Sequence, residues 1–294
     1  MQQNAPFALP AVRKPGLLFV SLVLAGVVAM SVHIGLLAAD VPFPRPQPPL
    51  WAQWLNESFI AGALLTFLKL AHRSIAHRSI MARTIIAFVI MAAIQETLRV
   101  GAMSGVVTGA WAYSAIGLIR PLIRVAIVAL SCAVGVRWVL GIPSLLIATL
   151  AIGAISTAAR KLVAHALEPF IQQFAWLARP DLYAFPYPFH VTVAAYLSFA
   201  EAVAGAVLMT VLIWDGLPRS RPVRVLIIAL LVALLKGVIG NTLLYSAFTG
   251  GSVMLGVLSW SQFLLEFLIL GALVALAWDV FGRDREPARG VLND

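Results

Sequence analysis

Residues 94–105 read IQETLRVGAMSG, and residues 239–250 read IGNTLLYSAFTG. Each stretch lies inside a long apolar run, yet the first carries Gln95, Glu96 and Arg99. At a constant offset of 145 residues the second repeats the Ile, the Thr-Leu pair, the Ala and the closing Gly, with Thr249 answering Ser104. A duplicated membrane segment with ionisable residues at mid-depth predicts an all-α bundle built around a buried polar site.

Composition points the same way. Hydrophobic residues make up 61% of the 294, charged residues 11%, and the mean hydropathy is +0.95. That balance excludes an ordinary soluble domain and predicts a polytopic membrane protein. A net charge of +9 would suggest nucleic acid in a soluble chain. Here the Lys and Arg residues fall mostly in short connections between apolar runs, which is the positive-inside pattern, so the bilayer is the expected partner and nucleic acid is not. The single cysteine, Cys132, sits in an apolar run and permits neither an intramolecular disulfide nor a thiolate metal cluster.

A spanning helix needs about 20 mostly apolar residues, because every backbone amide must be satisfied without water. Eight segments meet that test: 16–38, 51–71, 82–106, 112–138, 143–163, 188–214, 225–248 and 253–281. The first is too long for an ordinary signal-peptide core and reads as a retained helix. Between the first two, VPFPRPQPPL (41–50) cannot continue a helix and predicts an extended connection. HRSIAHRS (72–79) and DGLPRSRPVR (215–224) predict cytoplasmic turns, while Arg160 and Lys161 depart from the rule. Around 169–178, Phe170, Ile171, Phe174 and Leu177 share a face opposite Gln172 and Gln173, which predicts a separate helix lying in the interface. The tail RDREPARGVLND closes the chain, and both termini are expected on the cytoplasmic side of a cell inner membrane.

The repeat extends beyond the opening stretch: Ser114 aligns with Ser259, and the fourth span falls on the eighth. The chain therefore divides into two four-helix units, 1–140 and 141–294. Four is an even number, so the units would be parallel, related by a pseudo-two-fold along the membrane normal, with a shared site between them.

Glu96, Arg99, Arg120, Arg124, Glu201, Lys236 and Glu266 all fall several residues inside predicted spans. Each isolated charge there costs at least about 2.5–3.5 kcal/mol, so these residues need protein partners or water. Glu96 and Arg99, three apart, can pair within one helix. Arg120 and Arg124, four apart, put two guanidinium groups on one face, with Pro121 opening the backbone between them. Two neighbouring forks suit a carboxylate or phosphate. The repeat sets Glu266 opposite Pro121, which would bring it near Arg120, and substitutes Asn241 for Glu96. The expected site thus has Arg120, Arg124, Lys236 and Asn241 as substrate ligands, and Glu96, Arg99, Glu201 and Glu266 as charge-balancing or proton-exchanging groups.

Other chemistry is less well served. His33, His72, His77, His165 and His190 lack metal-ligand spacing, and no phosphate-binding glycine loop, dinucleotide fingerprint or nucleophile elbow occurs, so neither metal nor cofactor is expected. Gln95, Glu96 and Arg99 resemble the QExxR or EExxxR signature of the intramembrane endopeptidase superfamily that includes prenyl-protein proteases and the gamma-secretase scaffold subunit. That superfamily's pattern continues with histidines followed four residues on by Asn or Asp, and no histidine here has that follow-up. The resemblance implies hydrolysis of a peptide bond with Glu96 activating water; without the histidines Glu96 has no visible partner. The leading reading is transport or binding of a small anionic solute or lipid headgroup. A membrane scaffold whose charges only pair helices competes with it, an intramembrane hydrolase using Glu96 is third, and an oligomer or a membrane-protein partner stays open.

Overall fold

The computed structural model describes residues 12–283; the predicted charged tail beyond Arg283 lies outside them. Among the described residues the chain is helical, with no strand. Its long elements are α1 Pro15–Ala38, α2 Leu50–Leu70, α3 Ile80–Thr108, α4 Trp111–Trp138, α5 Ile142–Gln172, α6 Phe189–Gly216, α7 Arg221–Lys236 continuing after a break as Val238–Phe248, and α8 Val253–Gly282.

Six of these, all but α2 and α7, are long and apolar enough to cross a membrane, and α7 makes a seventh if its two arms, bent by 70°, count as one span. α2 has the length but not the hydropathy: Asn56, Glu57 and Ser58 stand in sequence within it, and all three are buried against protein. The structure therefore supports a membrane-embedded helical bundle, but not the full count of eight lipid-compatible spans. The separate interfacial helix expected near 169–178 does not form either. α5 runs through Pro169 to Gln172 and only a single 3-10 turn, Ala175–Leu177, follows. Proline removes one backbone hydrogen bond, a loss a helix can carry so near its end.

Local chemistry sets most boundaries. Pro15, Pro143 and Pro222 lie in the first turns of α1, α5 and α7, where a missing N–H costs nothing. Ser79 and Ser252 accept from the backbone N–H of Ala82 and Leu255 and so cap α3 and α8. α4 is interrupted at Leu118, since Pro121 has no N–H to give the carbonyl of Gly117.

α1 packs on α8, α2 on α5, α3 on α4 and on α6, and α7 on α8 and α2, so helices from the two halves of the chain interlock. Short backbone bonds join the start of α1 to the end of α8 (Lys14 N to Phe281 O, 3.0 Å), and Arg221 pairs with Asp279 at 3.0 Å. Arg73 reaches the Asp215 carbonyl at 3.2 Å. These contacts gather the Lys/Arg-rich turns on one face, here the basic face. At the other end Gln47 N bonds Phe248 O at 2.8 Å and Leu182 N bonds Val107 O at 2.9 Å.

The core differs between the two halves of its depth. Toward the basic face α8 buries Phe267, Leu270 and Val274, α2 buries Leu64, Leu65 and Phe67, and α7 buries Ile228, Val232 and Leu235. Toward the opposite face the same helices bury Ser259, Gln262 and Glu266, then Asn56, Glu57 and Ser58, then Ser246. An apolar plug thus underlies a polar layer.

Candidate functional site

Two helix breaks border the polar layer. In α3 the α-helix stops at Ile94 and resumes at Thr97, and Glu96 between them is left-handed, with φ of 57°. A non-glycine residue in that conformation carries a local backbone cost that the surrounding packing must sustain. In α7 the break falls at Gly237, with φ of 83°, a value glycine adopts freely. The two breaks touch. Lys236 Nζ donates to the Glu96 carboxylate and, at 3.2 Å, to the Gln95 carbonyl, while Gln95 Nε2 donates to the Leu235 carbonyl at 3.2 Å.

Glu96 also accepts from Arg99 Nη1 at 2.5 Å, so one buried carboxylate holds two cations. Arg99 is steadied by Met30 Sδ at 3.2 Å and lies over the Phe199 ring, 5.4 Å from its centroid; Lys236 lies over Phe267 at 4.6 Å. Such cation–π contacts gain strength where water is excluded. Glu201, just after an interruption of α6 at Phe199, accepts from the backbone N–H groups of Leu98 and Arg99 at 3.0 and 2.6 Å. It caps the second arm of α3, whose amide dipoles favour a negative group there.

A second chain of contacts runs from the same place. Arg124 donates through Nη2 to Gln95 Oε1 at 2.5 Å and through Nη1 to Glu57 Oε1 at 2.8 Å, and Ser156 donates to Glu57 Oε2 at 2.6 Å. Gln95 thus links the Arg124–Glu57 pair to the Lys236–Glu96 pair. The carboxylates of Glu57 and Glu96 are 2% and 4% exposed, so both pairs are interior.

Glu266, 1% exposed, faces His33 Nδ1 across 3.9 Å, with the rings of Phe43 and Phe263 packed around the imidazole. Glu266 Oε1, His33 Nδ1 and Gln262 Oε1 have no hydrogen-bond partner among the described residues.

No protein-family model, curated protein or solved structure matches this chain. The short likeness at Gln95–Arg99 therefore brings no family with it, and both oxygens of Glu96 are engaged by cations rather than offered to a water.

Of the residues singled out in the sequence, Glu96, Arg99, Lys236 and Arg124 are brought together, with Glu201 against the same helix break. Arg120 stands apart: it pairs with the half-exposed Glu168 of α5, so the two neighbouring arginines reach different carboxylates. Glu266 meets His33 rather than Arg120. Asn241 lies one turn beyond Lys236, its Oδ1 without a hydrogen-bond partner among the described residues. Sequence reasoning passed over Glu57, Ser156 and His33. The run Asn56-Glu57-Ser58, which lowers the hydropathy of α2, was the signal for the first.

Proposed function

We propose that this membrane protein binds a small anionic solute or an anionic lipid headgroup at the contact between the two helix breaks and carries it across the bilayer. The observation that supports this reading is the meeting of two interrupted spans through Glu96 and Lys236. Broken helices in a bilayer leave backbone groups free only where they border protein or a polar cavity, and such breaks are the usual seats of substrate in secondary transporters. Arg99 and Lys236 share one carboxylate, so two cationic side chains converge at the breaks for an anion to answer. Lys236, Arg99 and Arg124 are the anion ligands in this reading, with Asn241 beside them. Glu96, Glu201 and Glu266 balance charge, and Arg120 with Glu168 lies on the approach from the face opposite the basic one.

The same reading keeps the duplication. With α1 to α4 matched to α5 to α8, the packing of α3 on α4 corresponds to α7 on α8, that of α3 on α6 to α7 on α2, and that of α1 on α8 to α5 on α4. The basic turns favour a cytoplasmic basic face in an inner membrane. A scaffold role is the second reading, favoured by the fact that Arg99, Arg124 and Lys236 each already have a carboxylate partner.

The test is thermal unfolding of the purified protein in lipid nanodiscs against phosphate, sulfate, acetate, succinate and phosphatidylglycerol. Occupancy at about 100 times Kd stabilises the folded state by about 2.7 kcal/mol. The transport reading expects a concentration-dependent shift with at least one of these, lost in Lys236→Met. The absence of any shift across the panel favours the scaffold.

A further inference from the structure

The Glu266–His33 contact is not used by the anion ligands, yet both groups are buried at the depth of the site. We infer that Glu266 and His33 form a proton-binding pair that takes up one proton for each monovalent anion bound, a proposal that rests on the anion-binding reading and names its coupling ion.

The argument begins with unsatisfied atoms. Buried polar groups nearly always have partners, so three partnerless ones in one place need a reason. Glu266 Oε1, Gln262 Oε1 and His33 Nδ1 are such atoms, and Gln262 sits one turn before Glu266 on the same buried face of α8. At 3.9 Å, His33 Nδ1 and Glu266 Oε2 are too far apart for a direct hydrogen bond but close enough for the protonation of one to govern the other. A carboxyl proton on Glu266 gives the cluster a donor in place of a bare charge. Phe43 and Phe263 pack against the imidazole, their ring centroids 6.1 and 4.8 Å away.

Charge balance then fixes the number of protons. The charged groups facing the pair are Glu96 and Arg99 of α3 and Lys236 of α7; Phe43 and Phe263 add none. Across the polar layer four cations, Arg99, Arg124, Arg160 and Lys236, meet four carboxylates, Glu57, Glu96, Glu201 and Glu266, with Arg160 and Glu57 both acting on Tyr245. The layer is balanced, and an uncompensated charge added to the interior is expensive. A bound monoanion adds one negative charge, and one proton on the Glu266–His33 pair cancels it.

The experiment is infrared difference spectroscopy of the full chain in liposomes of phosphatidylethanolamine and phosphatidylglycerol, with pH stepped across the carboxyl and imidazole range and no other anion added. A buried carboxylic-acid band that disappears as pH rises is expected, absent in Glu266→Gln and moved in frequency in Glu266→Asp. In His33→Gln its midpoint shifts. Identical spectra for the native protein and Glu266→Gln, or a midpoint that His33→Gln leaves in place, overturn the proposal. Because no solute is needed, a pair that titrates while the anion panel leaves the unfolding temperature unmoved sinks the transport reading alone. The coupling is then read from proton uptake on adding the stabilising anion: one proton per anion in the native protein, and loss of that uptake in His33→Gln.

Discussion

Lys236 and Gln95 clasp each other across two broken helices: the lysine donates to the Gln95 carbonyl at 3.2 Å, and the Gln95 amide donates to the carbonyl of Leu235, the lysine's neighbour, at the same distance. Each side chain satisfies backbone that a break in the other's helix has released. Gln95→Leu removes the amide contact and the acceptor of Arg124 together, so a loss of about 2 to 4 kcal/mol is expected from two interior hydrogen bonds, one of them charged. Thermal unfolding in nanodiscs measures it; a change under about 0.5 kcal/mol, the size of an ordinary surface substitution, would show that the clasp contributes nothing.

The Arg124–Glu57 pair permits a cleaner experiment, because Glu57 keeps a second partner in Ser156. Arg124→Met leaves Glu57 charged and buried, a change expected to cost about 3 to 5 kcal/mol. The double replacement Glu57→Gln/Arg124→Met removes both charges and should regain most of that stability. A double variant as unstable as the single one would mean that the arginine acts through something other than this carboxylate.

Glu201 caps the second arm of α3 through two backbone amides. In Glu201→Ala those amides lose their acceptor, at an expected cost of about 0.5 to 2 kcal/mol, whereas Glu201→Gln retains an acceptor oxygen and should cost less. Equal losses in the two variants would rule out the capping role.

The division of the core into a polar layer and an apolar plug predicts which face water reaches. In a Cys132→Ala background, single cysteines at Ser259 and Gln262 should react with a membrane-impermeant thiol reagent added on the face opposite the basic one. Cysteines at Leu270 and Val274 should be protected from both faces. Protection at all four positions, with surface controls labelled, would mean that the polar layer is dry and its charges serve only to join helices.

A close helix contact gives a fifth prediction. A Cβ on Gly153 would fall 2.1 Å from Ser58 Oγ and 2.8 Å from the Ser58 backbone, so α5 can lie against α2 only through glycine there. Gly153→Ala should cost about 1 to 3 kcal/mol and loosen the Ser156–Glu57 hydrogen bond that lies one turn away. An unfolding temperature equal to the native value would show that the two helices separate without penalty.

By itself the sequence determined the membrane class and nearly every helix position, because a run long and apolar enough to hide its own amides in lipid is a local property. It also placed Glu96, Arg99, Arg124 and Lys236 at mid-depth, and three-residue spacing announced the Glu96–Arg99 pair. Only the tertiary structure decided partners. Arg120 and Arg124 share a helix face in the sequence, yet one finds Glu168 and the other Glu57, since long side chains turn toward whichever neighbouring helix offers a carboxylate. Glu57 lay hidden in a polar run near the start of its helix, and His33 looked isolated until α1 packed on α8 and set it against Glu266. The break at Glu96 had no glycine or proline to announce it. Its left-handed backbone is sustained by the neighbouring Arg99 together with Lys236 and Glu201, two groups brought from other helices by packing that no local stretch of sequence encodes.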